Sequence, residues 1–360
     1  MRVILWTTSV AMLLAAAACG SDESSAGSGG MAGSGGMAGS GGTAGMAGSA
    51  GSDAGTPECM PTADVCFVNG PSGPGAACMA KADFSSAAVT QLRATSHQVK
   101  SPAALAEPFV QDGIITKKSA LAEPECHLNG SGQFNLLMEI DSAQKQLTIG
   151  GGIPQALAGA PKDGTCYASF TDTASGLVVK PETQGYSEES DGSLSATFPS
   201  FVMPIYLADT TTADSYVLVP LHDLTVNATL SADKNCIGRY AAETLDPGSD
   251  CQPAAGEFAW KTGGHYEGYI TVEEADKVFV VSLGETLCVL LTGDPAMWKG
   301  PAPEASCKTS VGFTQTGGLP KGDWCSTTNS AGGCQDAWRL VIDVAAQAIP
   351  IKGVYPSDCP

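Results

Sequence analysis

The chain has few basic residues for its length. Its 360 residues include 18 Lys and Arg against 37 Asp and Glu, and its formal net charge is −19. Phosphate groups are repelled by such a surface, so the composition argues against nucleic acid and anionic lipid headgroups as partners. The composition is compatible with a protein or a small-molecule partner and does not choose between them.

The sequence also lacks the short motifs of common chemistries. It has no Gly-x-Ser-x-Gly, His-Glu-x-x-His or Cys-x-x-Cys, the marks of a serine nucleophile, a zinc protease helix and a zinc ribbon. The histidines are not spaced as metal ligands, and each is interpreted as a surface or hydrogen-bonded residue: His97, His127, His222 and His265. These patterns leave the catalytic residues unknown, and we predict no cofactor and no metal ligand.

The segment 263–274 has the second half of a calcium-binding loop. Gly268 and Glu274 stand at the positions of the turn glycine and the bidentate carboxylate. The first half does not match a calcium-binding loop, because Gly263 and His265 occupy the positions where such a loop has carboxylates. A strand that leads into a capped helix explains the segment better.

Several tryptophans follow residue 250. They could form a stacking platform for sugars, but in a β-rich domain tryptophans more often belong to the core. The residues are Trp260, Trp298, Trp324 and Trp338. Paired carboxylates for glycoside hydrolysis are also compatible with the acidic composition, which singles out none of them.

No apolar run is long enough to cross a bilayer as a mature helix. The uncharged stretch 3–18 follows Arg2 and is interrupted by hydroxyl residues at 7–9. A short apolar run with one preceding positive charge, ending in small residues, is typical of a secretory signal. We therefore predict a signal peptide over residues 1–18.

The end of this run resembles the lipobox of bacterial lipoproteins. Three alanines at 16–18 precede Cys19, although many lipoboxes carry Leu where Ala16 stands. The resemblance implies that Cys19 is acylated, becomes the first residue of the mature chain and is held stably by two or three acyl chains. Gly20, in place of Asp, implies the outer membrane. Ordinary secretory cleavage that leaves a free Cys19 is the alternative.

Residues 20–57 consist almost entirely of Gly, Ser, Ala and Met. A Gly-Ser-Gly-Gly-Met-Ala unit occurs at 27–32 and again at 33–38. Such a segment cannot bury enough apolar surface to offset the entropy of ordering it. We predict that 19–57 is the lipidated cysteine followed by a flexible tether, similar to those of uncharacterised surface lipoproteins.

Cysteine is abundant in the rest of the chain. Without Cys19 the count is even, which in an exported protein predicts up to six disulfides. The candidates are Cys59, Cys66, Cys78, Cys126, Cys166, Cys236, Cys251, Cys288, Cys307, Cys325, Cys334 and Cys359. Short loops favour the local pairs Cys236–Cys251 and Cys325–Cys334, with Cys288–Cys307 as a further option. At least one cysteine of the first three must pair with a distant one if all are bridged.

For residues 58–360 we predict one mainly β domain, with an α+β fold as the alternative. The domain begins with a Cys-rich loop segment at 58–82. Short stretches rich in Val, Leu, Thr and aromatic residues alternate with turn residues, which favours an antiparallel sandwich or barrel. The predicted strands are 134–141, 145–149, 166–171, 176–180, 193–199, 201–207, 216–220, 224–231, 236–240 and 338–344.

Two capping boxes interrupt this pattern. Thr271 with Glu274 and Ser282 with Glu285 are each followed by apolar residues at helical spacing. We predict two short helices, at about 272–281 and 283–292, which pack on the sheet.

For function, the sequence favours a membrane-anchored envelope lipoprotein that acts as a non-enzymatic binding or structural module. A lipid anchor and a tether raise the local concentration of a module at a membrane face. The alternative is a secreted hydrolase that acts on polysaccharide or peptide.

Overall fold

Runs of alternating apolar and polar residues make strands the main elements of this protein. The computed structural model describes residues 66, 78–123, 128–190, 192–249, 251–254, 256–281, 283–292, 306–307, 321–327 and 334–359. All of them lie within Ala54–Pro360, one of the two units into which the chain divides. Outside the described residues lie the predicted signal peptide and tether, most of the loop segment 58–82, and Cys19, Cys59, Cys126, His127 and Trp298.

Twenty-two strands are found among the described residues. They are β1 (Val89–Ser101), β2 (Ala122–Glu123), β3 (Leu128–Asn129), β4 (Leu136–Asp141), β5 (Gln146–Gly151), β6 (Thr165–Tyr167), β7 (Phe170–Thr171), β8 (Val178–Val179), β9 (Glu182–Gly185), β10 (Ser187–Glu188), β11 (Leu194–Tyr206), β12 (Tyr216–Ala228), β13 (Cys236–Ile237), β14 (Arg239–Tyr240), β15 (Leu245–Asp246), β16 (Gln252–Pro253), β17 (Trp260–Lys261), β18 (Gly264–Thr271), β19 (Phe279–Val280), β20 (Glu285–Thr286), β21 (Ala337–Ala348) and β22 (Ile351–Val354).

The helices are short. The α-helices are α1 (Ala103–Ala106), α2 (Pro108–Val110), α3 (Lys117–Ser119), α4 (Gln155–Ala158), α5 (Val272–Ala275) and α6 (Leu287–Leu291). A π-helical turn spans Gln111–Thr116, and 3₁₀ turns span Pro161–Asp163, Ala242–Thr244 and Pro247–Ser249. The chain is therefore mainly β, as predicted.

The main sheet is an antiparallel, nearly closed barrel. Its strand order is β10-β11-β12-β18-β21-β1-β4-β5-β9, and β13 pairs with β21. The two edges meet because one stretch of chain serves both: β9 pairs with β5, and after one residue β10 pairs with β11. Near this seam a Cβ on Gly151 would lie 2.2 Å from Cδ of Pro204, so β5 and β11 approach closely only because Gly151 has no side chain.

The interior of the barrel is a continuous apolar core. It contains the inward residues of every long strand, among them Leu92, Met138, Phe198, Val226 and Ile342. Burying each such side chain stabilises the fold by about 1.5–3 kcal/mol, so this core is the main source of stability.

Strands β11 and β12 are longer than the sequence predicts. Proline in β11 and turn-like residues in β12 suggest two short strands in each case. Instead, each strand continues, but the alternation of inward and outward side chains is displaced by one residue. The displacement falls at Pro199 in β11 and at Asp223 in β12, and Asp223 has a φ of +47°. A bulge absorbs the extra residue and lets each strand continue with its apolar side inward.

The predicted pair of short helices within 272–292 is confirmed, although both helices are shorter than predicted. Thr271 caps α5, since its side chain accepts a hydrogen bond from the Glu274 backbone N–H at 3.3 Å. Ser282 of the second capping box lies outside the described residues. β19 and β20 pair as a hairpin, Gly284 has φ +67°, and α6 begins at Leu287.

Five disulfides join the described cysteines. Cys325–Cys334 and Cys288–Cys307 are paired, with Cα–Cα distances of 5.4 and 6.0 Å. The other three pairs join distant segments, at Cα–Cα distances of 5.4, 5.7 and 6.4 Å: Cys66–Cys251, Cys78–Cys236 and Cys166–Cys359.

The predicted bridge between Cys236 and Cys251 is therefore wrong. Each of these cysteines instead bridges a cysteine of the N-terminal Cys-rich segment, Cys236 on β13 to Cys78 and Cys251 to Cys66. Since disulfides persist in oxidising compartments, this set of bridges is consistent with an exported protein. No helix among the described residues is long and apolar enough to cross a membrane.

Candidate ligand-binding face

The barrel interior has no room for an organic ligand in the described part of the chain. Its cavity measures about 40 Å³ and has an apolar lining that includes Phe134, Met203, Leu287 and Trp338. A volume of this size holds about one water molecule. This cavity is therefore too small for an organic ligand.

A groove of about 290 Å³ lies where three hairpins meet at one end of the barrel. Its lining combines apolar residues with Asp172, Asp214, Tyr216 and Lys277. Asp172 accepts hydrogen bonds from the Tyr216 hydroxyl at 3.0 Å, the Ser175 backbone N–H at 2.7 Å and the Ser175 hydroxyl at 2.5 Å. Although partial burial opposes it, this bonding lowers the pKa of Asp172, whose carboxylate is occupied in holding its own turn.

The outward side chains of β11, β12, β18 and β21 form a polar face. Cross-strand pairing places Ser200, His222, Tyr269 and Arg339 in one row across the four strands. Another row contains Thr197 and Thr225, whose hydroxyl oxygens are 3.0 Å apart. Because neighbours in such rows have Cβ atoms about 4.5–5.5 Å apart, their side chains act as one surface.

Six side chains on this face touch one another in sequence, and we call them the outer strip. They are Trp324, Arg339, Glu267, His265, Asp343 and Lys100. The first is on the segment 321–327, which bridges to the start of β21. The others are on β1, β18 and β21.

Short contacts hold the middle of the outer strip. Arg339 donates two hydrogen bonds to Glu267, from Nε at 2.8 Å and from the guanidinium NH2 group at 2.6 Å. Glu267 Oε2 lies 3.7 Å from His265 Nε2, and His265 Nδ1 lies 3.0 Å from Asp343 Oδ1. Asp343 Oδ2 lies 3.5 Å from Lys100 Nζ. The bidentate, fork-to-fork contact of Arg339 with Glu267 fixes both of these side chains in the plane of the contact.

The outer strip is open to solvent and balanced in charge. Its charged and histidine side chains remain between 31% and 49% exposed. Two cations, Lys100 and Arg339, accompany two carboxylates, Asp343 and Glu267. The hydrogen bonds from Arg339 lower the pKa of Glu267, so this carboxylate is ionised over the whole neutral range. The charges of these six side chains therefore balance, and one further carboxylate, Asp323, accepts a hydrogen bond from the Arg339 backbone N–H at 2.8 Å beside the strip.

Trp324 is the exposed tryptophan among the described residues. Its exposure is 38%, whereas Trp260 and Trp338 are each 4% exposed and belong to the core, as expected for a β-rich domain. The guanidinium carbon of Arg339 lies 4.9 Å from the centre of the Trp324 ring. The indole is therefore held in position beside the charged part of the outer strip.

A half-buried ion pair joins this face to α5. His222 Nε2 lies 2.6 Å from Glu274 Oε2, and the Thr271 hydroxyl donates to the same oxygen at 2.6 Å. The bond to Glu274 raises the pKa of His222. Burial opposes ionisation of Glu274, but the bonds from His222 and Thr271 outweigh it and lower its pKa. His222 also stacks on Tyr269, at 5.3 Å between ring centres.

A second polar cluster is fully buried beneath the segment 102–135. Arg93 donates to the Asn135 side-chain oxygen and, at 2.6 Å, to the Ser119 carbonyl. His97 Nδ1 lies 2.8 Å from the Ser119 hydroxyl, and its ring stacks on Phe134 at 4.1 Å. Burial, with a smaller effect of Arg93, lowers the pKa of His97 to about 3. This histidine is neutral and structural.

No metal centre is formed by the described residues. Two groups bring possible ligands together, but each contains a disulfide pair, Cys288–Cys307 or Cys325–Cys334. A bridged sulfur is not the thiolate that binds a metal. In the calcium-loop segment, Gly264–Thr271 is a strand and leads into the capped α5, as the sequence indicates.

The sequence analysis names His222, His265 and Trp324 but does not bring them together. It gives no role to the side chains that complete the outer strip, which are Arg339, Glu267, Asp343 and Lys100. A signal was present, because His265 and Glu267, like Arg339 and Asp343, are spaced to share one face of a strand. Only the register of β18 against β21 shows that these two faces are the same.

We compared the chain with known protein families, with curated proteins and with solved structures, and none of them matches it.

Proposed function

We propose that this chain is an exported lipoprotein, acylated at Cys19, whose β domain is a non-enzymatic binding module at the outer membrane. The observation that carries the proposal is the outer face of the barrel. The interior is filled, whereas the outer strip presents fixed, solvent-exposed hydrogen-bonding groups. Five disulfides support export, and the lipobox-like sequence around Cys19 supports the anchor.

Anchoring is tested by Cys19→Ser. The full chain is expected in membrane fractions and the variant in the soluble exported fraction, because the acylation site is lost. Unchanged membrane association of the variant would refute lipidation at this residue.

Binding is tested with the released Cys19→Ser chain and isolated envelope fragments of the producing cells. Saturable rebinding that is weakened by Arg339→Gln is expected, because this side chain holds the centre of the outer strip. Lys180→Gln, which breaks an exposed ion pair with Glu182 outside the four strands of the polar face, is the matched control. Absence of saturable rebinding would contradict a binding module.

A hydrolase is the second candidate, and one observation favours it. Ser200 lies directly opposite His222 in the pairing of β11 with β12, and His222 is hydrogen-bonded to Glu274. A serine, a histidine and a carboxylate in this order can form a nucleophile, a base and its orienting group. Ser200 makes no hydrogen bond to His222 in the structure, and the site lies on a strand face rather than in a pocket.

A fluorophosphonate probe, which labels activated serines, separates the two candidates. A binding module is expected to show no labelling beyond that of a Ser200→Ala variant. Stoichiometric labelling that Ser200→Ala abolishes and Ser195→Ala leaves intact would establish the hydrolase.

A further inference from the structure

The outer strip also indicates the chemical class of its ligand, and this inference rests on the proposed binding function. We infer that the outer strip, with Trp324 at one end, binds an extended neutral polysaccharide. Three independent features carry this proposal: the charge balance of the strip, the exposed indole and the linear arrangement of its polar groups.

Charge balance argues against a charged ligand. The whole chain carries −19, which repels anions at long range, while the strip pairs its two cations with its own two carboxylates. A charged ligand would have to compete with the bidentate contact of Arg339 with Glu267 and with the contact of Lys100 with Asp343. A neutral ligand can bind with both contacts intact.

The polar groups suit hydroxyls. Carboxylates accept hydrogen bonds only, and guanidinium and ammonium groups donate only, so a ligand that contacts both must be donor and acceptor at once. A sugar hydroxyl meets this requirement at every position. Paired Thr197 and Thr225, on the neighbouring strands, extend the same kind of surface with hydroxyls.

The indole provides an apolar platform for a sugar ring. One side of the Trp324 ring is occupied by Arg339, and the side chain is still 38% exposed. A large, rigid aromatic side chain that is held in place contributes contact area at a low cost in conformational entropy. The apolar C–H face of a pyranose matches this surface, while its hydroxyls face the neighbouring charges.

The strip is linear, which favours a chain over a single sugar. Arg339 and Asp343 are four residues apart on β21, a separation of about 13 Å along the strand. Trp324 extends this line beyond Arg339, and Lys100 lies beside the line on β1, next to Asp343. An extended oligosaccharide segment can contact all of these groups together.

The experiment uses the full chain with Cys19→Ser and isolated envelope fragments as the probe. Fragments are tested untreated, after periodate, which cleaves vicinal diols of sugars, and after protease. Binding is expected to survive protease and to be lost after periodate. Equal binding before and after periodate, or loss after protease alone, would overturn the polysaccharide ligand and leave the binding function in place. Absence of binding to untreated fragments would contradict the proposed function itself.

Variants locate the site on the same fragments. Trp324→Ala is expected to weaken binding about tenfold or more, because it removes the aromatic side chain with the largest contact area in the strip. Phe109→Ala is the matched control, because it removes another exposed aromatic side chain, on α2, and is expected to bind normally. Asp343→Asn keeps the size of its side chain and is expected to weaken binding without unfolding the domain. Wild-type affinity in both strip variants would exclude this face as the site.

Discussion

The buried polar cluster of β1 and the outer strip, to which β1 also contributes, have opposite surroundings. Arg93 and His97 lie under the segment 102–135 and are buried completely, whereas Lys100, on the same strand, ends in the open outer strip. In the buried cluster, hydrogen bonds replace water and hold the covering segment in place. In the outer strip the same kinds of groups keep their access to solvent. The comparison shows that burial, more than residue type, separates architectural groups from groups available to a ligand.

The largest expected effect on the free energy of unfolding is in the buried cluster. Arg93→Met removes the donors to Asn135 and to the Ser119 carbonyl, and leaves both acceptors buried. We expect the free energy of unfolding to fall by about 2–4 kcal/mol, measured by urea denaturation. Lys100→Met, on the same strand, is the control and should change it by less than about 0.5 kcal/mol. Similar losses in both variants would remove the distinction between the clusters.

A smaller effect is expected at Glu285, a buried carboxyl group on β20. Burial raises its pKa to about 7, and Oε2 has no hydrogen-bond partner. The folded chain thus keeps this proton to a higher pH than the unfolded chain, so its contribution to stability falls between about pH 4.5 and pH 7 and stays low above. Glu285→Gln should stabilise the protein by about 1–3 kcal/mol at pH 8 and have little effect at pH 4. A gain that is independent of pH would contradict the buried, protonated carboxyl group.

The half-buried ion pair of His222 with Glu274 is intermediate between the two clusters. The raised pKa of His222 makes its contribution complete below about pH 6.5 and lost as the pH rises through the raised value. The lowered pKa of Glu274 makes its contribution complete above about pH 4.5 and lost in stronger acid. Glu274→Gln should therefore cost most near pH 5.5, by about 1 kcal/mol or less, and less at pH 9. The exposed neighbour Glu273→Gln should show no such pH profile.

The smallest effect on stability is expected in the outer strip. Arg339→Gln breaks an exposed pair with Glu267, and such pairs contribute less than about 1 kcal/mol. Thermal denaturation should show almost no shift, while binding to envelope fragments should weaken clearly. A loss of stability comparable to that of Arg93→Met would mean that the outer strip is structural as well.

The local pattern predicts part of this fold well. The predicted strands 134–141 and 145–149 correspond to β4 and β5, and Asp141 begins the turn between them, where its side chain accepts from the Ala143 and Gln144 backbone N–H groups at 2.9 Å each. The loop between Cys325 and Cys334 is short enough to favour its own bridge. Each of these features depends on residues that are close in the chain.

Other features could not be predicted because distant segments decide them. The sequence pattern does not predict β1, because its buried residues Arg93 and His97 break the apolar alternation. Their burial is possible only because Ser119 and Asn135, which are distant in the chain, form hydrogen bonds with them. The pairing of Cys78 with Cys236 spans 158 residues, so loop length carries no information about it. The outer strip depends in the same way on the register between β18 and β21.

By itself, the sequence determined that the described domain is mainly β and cysteine-bridged, because alternation, turn chemistry and cysteine count are local or compositional. It also predicts the lipid anchor at Cys19, which lies outside the described residues. Only the tertiary structure decided how the barrel closes, which cysteines pair and which polar side chains remain open to solvent. These depend on strand register and on covering segments, and contacts between residues far apart in the chain set both.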